Sequence, residues 1–323
     1  MKTITVVIPT YNEEENIFLT YERLDSIFRK ELKEYQLEIL YIDNYSTDTT
    51  RIKICELAKK DIRVKAIFNA SNFGFIRSTY YGLSQATGDC AVLMFADMQD
   101  PPEVIPEMVH KWEQGNKIVV GIKNKSKEFP IMYFIRGIYY RFISKISEIE
   151  HIEQYDGFGL YDQSFIRILR NLKDSVPYLR GIVSEIGFKR AEVFYKQDLR
   201  KNGKTSFNFL KMYDLAMLGI TSYSKIFLRM ATFVGLGIGF LSMVVAMFTF
   251  IKKLLFWNSF PIGTAAISIG VFFLGGLQLF FIGIIGEYIS NINIRVMNRP
   301  LVIEEKRLNF DEIESKQKND DIQ

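Results

Sequence analysis

Two stretches of this chain carry no charge: Met230 to Ile251, 22 residues, and Pro261 to Gly286, 26 residues. A helix rises about 1.5 Å per residue, so each can cross the roughly 30 Å hydrocarbon layer of a bilayer. Buried core helices are the competing explanation, but a soluble core does not need two uncharged runs of this length. Only Lys252 to Phe260 separates the two, which predicts a hairpin with both outer ends on one side. Lys252 and Lys253 lie in the link, whereas Lys225, Arg229, Arg295, Arg299, Lys306 and Arg307 flank the outer ends. The larger basic count puts those ends, and the domain attached to them, in the cytoplasm. The expectation is a multi-pass protein of the inner (plasma) membrane.

What precedes the apolar third is a different kind of sequence. Apolar runs that read as buried strands, Ile4 to Ile8, Leu37 to Ile42, Val64 to Phe68, Cys90 to Phe95 and Lys117 to Ile122, alternate with amphipathic segments. Those segments, at helical spacing, are Glu13 to Arg29, Thr49 to Lys60 (with Asp48 as its cap), Ser78 to Ala86 and Pro102 to Glu113. This alternation predicts an α/β fold, an open and mostly parallel sheet with helices on both faces. The organisation expected is a catalytic domain over 1–205, an interfacial helix over 206–224, the membrane hairpin over 225–290 and a charged tail over 291–323. Met1 to Thr10 is no signal peptide, because Pro9 and Glu13-Glu14-Glu15 follow a short apolar run.

Composition removes several chemistries. A net charge of +4 over 323 residues is too weak to argue for nucleic acid. The two cysteines, Cys55 and Cys90, have neither metal-site spacing nor a disulfide framework, which fits a reducing compartment. With only His110 and His151, a multi-histidine zinc site or a Ser-His-Asp hydrolase is not expected. Catalysis must rest on carboxylates, amides and basic side chains.

Such side chains gather where strands end, which is where open α/β sheets bind ligands. Asp97 and Gln99 follow the strand ending at Phe95. Two oxygen ligands one residue apart can share a face and hold Mg²⁺ or Mn²⁺, leaving positions open for a substrate diphosphate. A polar loop before a proline-started helix explains the same residues without a metal. Asp43-Asn44-Tyr45-Ser46-Thr47-Asp48 follows the second strand, where a carboxylate could accept from a base or ribose, although capping by Asp48 accounts for half the cluster. Pro9-Thr10-Tyr11-Asn12-Glu13 forms the first strand-to-helix loop. Scattered basic residues, Lys123, Lys125, Lys127, Arg136, Arg141, Arg200, Lys201 and Lys204, suit two anions, a nucleotide diphosphate and a lipid phosphate. Gly203 lies in a loop, 200–206, able to close over a donor.

With these residues in view the chain resembles glycosyltransferase family 2. The resemblance opens at Val6-Val7-Ile8-Pro9-Thr10-Tyr11-Asn12-Glu13 and continues through Asp43 to Asp48, Ser71-Asn72-Phe73-Gly74, Gly88-Asp89 and Asp97 to Glu103. It runs on through Tyr178 to Phe188, Arg200 to Ser206, Gly283-Ile284-Ile285-Gly286-Glu287-Tyr288-Ile289 and Arg299-Pro300. The late motifs and the hairpin are similar to the polyprenyl-phosphate branch, which includes bactoprenol glucosyltransferases and dolichol-phosphate mannose synthases. The resemblance implies a GT-A fold, a divalent metal and inversion at the anomeric carbon. It also implies a nucleotide-sugar donor, a hexose carried on UDP, an undecaprenyl or other polyprenyl phosphate acceptor, and a homo-oligomer. Carried over by motif, Asp97 and Gln99 hold the metal, and Asp97 and Arg136 serve catalysis. Pro9, Tyr11, Glu13, Asp43, Asn72, Asp97, Arg200 and Lys204 bind the donor, and Lys123 and Arg136 meet the acceptor phosphate.

The chain departs from the family pattern at several positions. Phe95 stands where a carboxylate is usual, Asn44 replaces a second Asp, Tyr45 a small residue, Ser71 an arginine and Lys123 an arginine. The Gly-Phe-Arg pattern is Gly157-Phe158-Gly159, and the Asp-Arg after it is Asp162-Gln163. Two other readings share these residues: a non-catalytic homologue acting as a scaffold, and an enzyme that glycosylates a polymer directly.

Overall fold

The computed structural model describes residues 1–124, 152–172, 174–197 and 264–310, with scattered positions between 217 and 255. Strands β1 (Lys2–Thr10), β2 (Tyr35–Asp43), β3 (Val64–Asn69), β4 (Cys90–Leu93) and β5 (Ile118–Asn124) alternate with helices α1 (Ile17–Lys30), α2 (Thr50–Lys60), α3 (Phe75–Ser84) and α4 (Ile105–Glu113). A single 3-10 turn, Pro102–Val104, leads into α4. Then follow β6 (Gly159–Asp162), α5 (Gln163–Asn171), α6 (Leu179–Glu185), β7 (Arg190–Lys196), the long helix α7 (Thr264–Val296) and β8 (Glu304–Leu308).

The eight strands of the described residues form one sheet in the order β7-β5-β6-β4-β1-β2-β3-β8. Pairs β1–β2, β1–β4, β2–β3 and β5–β7 are parallel, while β6 and β8 run antiparallel to their neighbours. Successive side chains of a strand point to opposite faces, and β1 feeds two cores in this way. Ile4, Val6 and Ile8 pack with Ile17, Leu24 and Phe28 of α1, Ile54 and Leu57 of α2, and Met108 and Trp112 of α4. Val7 packs on the other face with Tyr80 and Leu83 of α3, Phe165 and Leu169 of α5, and Ile182 of α6. Both faces are covered, which is why the parallel strands read as unbroken apolar runs.

Three elements differ from the expectation. β6 and β7 were not foreseen: β6 is four residues long, and β7 alternates buried with exposed positions. The charged segment from Glu304, part of the tail expected over 291–323, begins with β8 and closes the edge of β3. Its charges are matched locally: Arg307 bonds Glu304 and Gln85, and Arg51 pairs with Glu305 at 2.8 Å. The second apolar run continues as helix past Gly286 to Val296. Among the described residues one segment, Leu277–Val296, is long and apolar enough to cross a membrane, and none of it is buried in the protein. The described positions of 230–251 are helical and mostly exposed. Most of the interfacial helix expected over 206–224 lies outside the described residues, as do Arg136, Arg200 and Lys204.

Candidate functional site

A cleft of about 1520 Å³ opens beyond the carboxyl ends of β1 to β4. Three non-glycine residues in the left-handed region mark its loops: Asn12 (φ 56°) after β1, Tyr45 (φ 69°) after β2 and Met98 (φ 58°) after β4. Such backbone is uncommon outside glycine and is held by surrounding bonds. Asn12 shows how. Its N–H donates to Ser46 Oγ at 2.9 Å and its Oδ1 accepts from the Thr47 N–H at 2.8 Å. The first two strand-to-helix loops are thereby tied together, with Glu13 N–H adding a bond to Thr50 Oγ1 at 2.9 Å.

Pro9, Tyr11, Glu13, Asn72, Asp97 and Gln99 all line this cleft. Asp97 accepts the Gln99 N–H at 3.2 Å across the left-handed Met98, so the turn brings both side chains to one loop. Asp43 does not line the cleft. It is fully buried, accepts from Arg51 Nε at 2.6 Å and from the Ser46 N–H at 3.2 Å, and so fixes the loop from beneath. Lys123 is mostly withdrawn from solvent and ion-paired with Asp156 at 2.5 Å.

Several residues that sequence reasoning passed over belong here. Asp100 is buried and accepts from the Tyr195 hydroxyl at 2.5 Å. Burial and the nearby Asp156 carboxylate push the Asp100 acid upward, against the opposing pull of Lys123 and the Tyr195 bond. Burial likewise raises the Tyr195 phenol. Asp156 itself reaches the cleft from the loop before β6. From α7 come Glu287, Ser290, Asn291 and Ile294. Their spacing, i, i+3, i+4 and i+7, is one helix face, a signal present in the sequence but hidden behind the apolar run.

The departures at 95 and 44 have local explanations. Phe95 packs its ring on Phe75 at 5.4 Å, giving the cleft an aromatic wall where a carboxylate was expected. Asn44 donates from Nδ2 to Asn72 Oδ1 at 2.9 Å, while its Oδ1 accepts from the Phe73 N–H and from Asn69 Nδ2. An aspartate there could accept these bonds but could not donate to Asn72. Exposed Ser71 has no comparable explanation.

Residues 5–169 match the model of the family described as glycosyl transferase family 2. The chain belongs to glycosyl transferase family 2. An SfII prophage-derived bactoprenol glucosyl transferase of Shigella flexneri is 34% identical over 305 residues, covering 94% of this chain and 97% of its own. An uncharacterized glycosyltransferase of Bacillus subtilis is 34% identical over 306 residues, 94% and 93% of the two chains. Among solved structures, the glucosyl-3-phosphoglycerate synthase of Mycobacterium tuberculosis with Mn²⁺, UDP and phosphoglyceric acid matches at 17% identity and a TM-score of 0.45, over 68% of this chain and 76% of that one. The sheet of this family 2 glycosyltransferase, mostly parallel with helices on both faces, is the GT-A class expected.

Among the described residues no three His, Cys, Asp or Glu side chains cluster as a closed metal cage. The donors that this family 2 glycosyltransferase does present, the Asp97 carboxylate and the Gln99 amide oxygen at the cleft wall, are hard oxygens. A small set of this kind fits Mg²⁺ or Mn²⁺, which keeps most of its coordination for water and substrate phosphate. It does not fit zinc, which takes nitrogen and sulfur in closed sites.

Proposed function

We propose that this family 2 glycosyltransferase moves a hexose from a uridine diphosphate sugar to a polyprenyl phosphate at the cytoplasmic face of the membrane. The observation that carries the reading is a single cleft with two kinds of wall. Pro9, Tyr11, Asp97 and Gln99 line it from the sheet, and Glu287, Ser290, Asn291 and Ile294 line it from a helix whose apolar surface is exposed. A soluble acceptor needs no such helix beside the reacting centre. The similarity to bactoprenol glucosyl transferases of Shigella flexneri and of Shigella phage SfV, along 94% and 93% of the chain, supports a lipid-phosphate acceptor. A membrane hairpin, with the run at 230–251 as its first arm, completes the reading.

In the transfer, an acceptor phosphate oxygen bonds to the anomeric carbon as the bond from that carbon to the diphosphate oxygen breaks. The electron pair leaves with the nucleoside diphosphate, and the anomeric centre inverts. A phosphate monoester is already ionised near neutral pH, so the protein need only align it and no strong base is required. Asp97 and Gln99 would hold Mg²⁺ or Mn²⁺, which when bound neutralises charge on the leaving diphosphate. Tyr11, Pro9, Glu13 and Asn72 orient the nucleotide part of the donor, and Asp43 acts through the loop it anchors. Lys123, kept in place by Asp156, and Arg136 receive the acceptor phosphate, while Arg200 and Lys204 meet the donor diphosphate.

Membranes containing the protein, incubated with radiolabelled sugar nucleotides and Mg²⁺ or Mn²⁺, should yield an organic-extractable, polyprenyl-linked sugar. Absence of such a product across the common sugar nucleotides and both metals overturns the reading.

A further inference from the structure

Arg77 is a part-buried cation in the wall of the cleft, on the first turn of α3. Its Nη2 donates to the Pro300 carbonyl at 2.8 Å, but its Nε is buried without any hydrogen-bond partner. Three other part-buried arginines are matched by carboxylates: Arg51 by Asp43 and Glu305, Arg63 by Asp61 and Asp25, Arg307 by Glu304. Among the described residues no carboxylate lies within ion-pair distance of Arg77. Its nearby charge is instead another cation, Arg299, and burial followed by that repulsion lowers the proton affinity of Arg77. Thr79, 5% exposed and also in the cleft wall, adds a second buried polar group, for its Oγ1 has no partner either.

A guanidinium partly withdrawn from water, with its Nε buried and unbonded and a like charge nearby, is stabilised when an anion arrives from outside. The position says which anion. Arg299 is exposed just past the end of α7, whose segment Leu277–Val296 is apolar and unburied. Basic residues at the cytoplasmic end of a membrane helix meet lipid headgroups, and arginine binds phosphate oxygens bidentately. We propose that Arg77 and Arg299 form a lipid-phosphate site where the cleft meets the foot of α7, made by neither of the residues assigned above to the acceptor phosphate. It goes beyond the transfer reaction, since it needs only a phosphate carried on a membrane lipid. A headgroup held there sits at the mouth of the same cleft that Asp97 lines.

The test is retention of lipid by the full-length protein in neutral detergent micelles, without any sugar nucleotide. Radiolabelled polyprenyl phosphate, a monoester, and phosphatidylglycerol, a diester, are the two lipid probes, and inorganic phosphate is the free-anion probe. Arg299→Gln alters an exposed side chain and leaves the core untouched, so its effect reads binding. It should cut retention of polyprenyl phosphate roughly ten- to a hundredfold, as loss of a charge-assisted contact does. Arg77→Gln should do the same, with Arg77→Lys recovering part of the loss. An equal fall for phosphatidylglycerol supports a site for lipid phosphates of both kinds; a fall for the monoester alone supports one for the acceptor. Unchanged retention of both lipids in Arg299→Gln and Arg77→Gln overturns the proposal, as does a site that binds inorganic phosphate but neither lipid. Because no sugar transfer is measured, a chain that fails to transfer sugar can still show this site.

Discussion

Arg51 donates from Nε to the fully buried Asp43 carboxylate at 2.6 Å. The same guanidinium reaches the Asn69 carbonyl at 2.6 Å and Glu305 at 2.8 Å. One side chain therefore joins the end of β2, the end of β3 and the strand that follows α7. Removing it leaves a carboxylate buried without a counter-charge, which costs about 3–5 kcal/mol. Arg51→Ala should lower the unfolding free energy by that amount in a denaturant titration, and Asp43→Asn in the same background should recover part of it. A loss below about 1 kcal/mol would mean that water reaches Asp43 and the pair is not a structural anchor.

Asp162 offers a pH-dependent check on the sheet's other half. Burial alone would raise its acid, but hydrogen bonds from Ser164 and Trp112 and the Lys117 ammonium outweigh burial and hold it at about 2. The bonds are short: 2.8 Å from Trp112 Nε1, 2.9 Å from the Ser164 N–H and 3.1 Å from Lys117 Nζ. A folded carboxylate held below its unfolded value stabilises the fold above about pH 4. That contribution disappears as pH falls from about 4 towards 2. Stability measured across this window should fall less steeply in Asp162→Asn, which should also be destabilised by roughly 1–3 kcal/mol at pH 7 through loss of charged hydrogen bonds. Equal slopes for the two proteins would remove Asp162 as the source.

The sequence made β1 to β5 legible because strands buried on both faces read as apolar runs, and the helices between them show helical spacing. It did not reveal β6, whose four residues follow Gly157 and resemble a turn, nor β7, whose exposed positions carry Glu192, Phe194 and Lys196. β8 was hidden more deeply, since Glu304-Glu305-Lys306-Arg307 reads as solvent-exposed tail until its partners, Arg51, Tyr81 and Gln85, are brought in by the fold. The site divides the same way. Asp97 and Gln99 are one residue apart and could be picked out together. Asp100 and Tyr195 are 95 positions apart, and no local pattern links them.

Gly121 is where that distant pair depends on the absence of a side chain. A Cβ at this position would stand 2.7 Å from Phe158 Cδ1, 3.0 Å from Tyr195 Cε1 and 3.2 Å from Met108 Cε. Phe158 and Tyr195 are themselves in edge-to-face contact at 5.2 Å, so neither ring can yield without moving the other. Gly121→Ala should cost about 1–3 kcal/mol by overpacking. It should also shift Tyr195 away from Asp100, reducing sugar transfer more than Tyr195→Phe, which removes only the hydroxyl. Wild-type stability and transfer in Gly121→Ala would show that the interior beside the cleft is looser than this packing.

Asp97 is the strongest test of the proposed chemistry, because its carboxylate is the one formally charged donor of the pair with Gln99. Asp97→Asn keeps the shape and the acceptor oxygen for the Gln99 N–H but removes the charge that would hold a cation. Transfer to polyprenyl phosphate should fall at least about 100-fold, the scale on which lost electrostatic stabilisation acts. The unfolding midpoint should stay close to that of the wild type. Chelation by EDTA should abolish wild-type transfer, and added Mn²⁺ or Mg²⁺ should restore it. Gln99→Ala, which removes a neutral ligand, should weaken transfer less and raise the metal concentration needed for half-maximal rate. If Asp97→Asn retains transfer and its metal requirement, the cation is held elsewhere, and Asp97 serves only the turn across Met98.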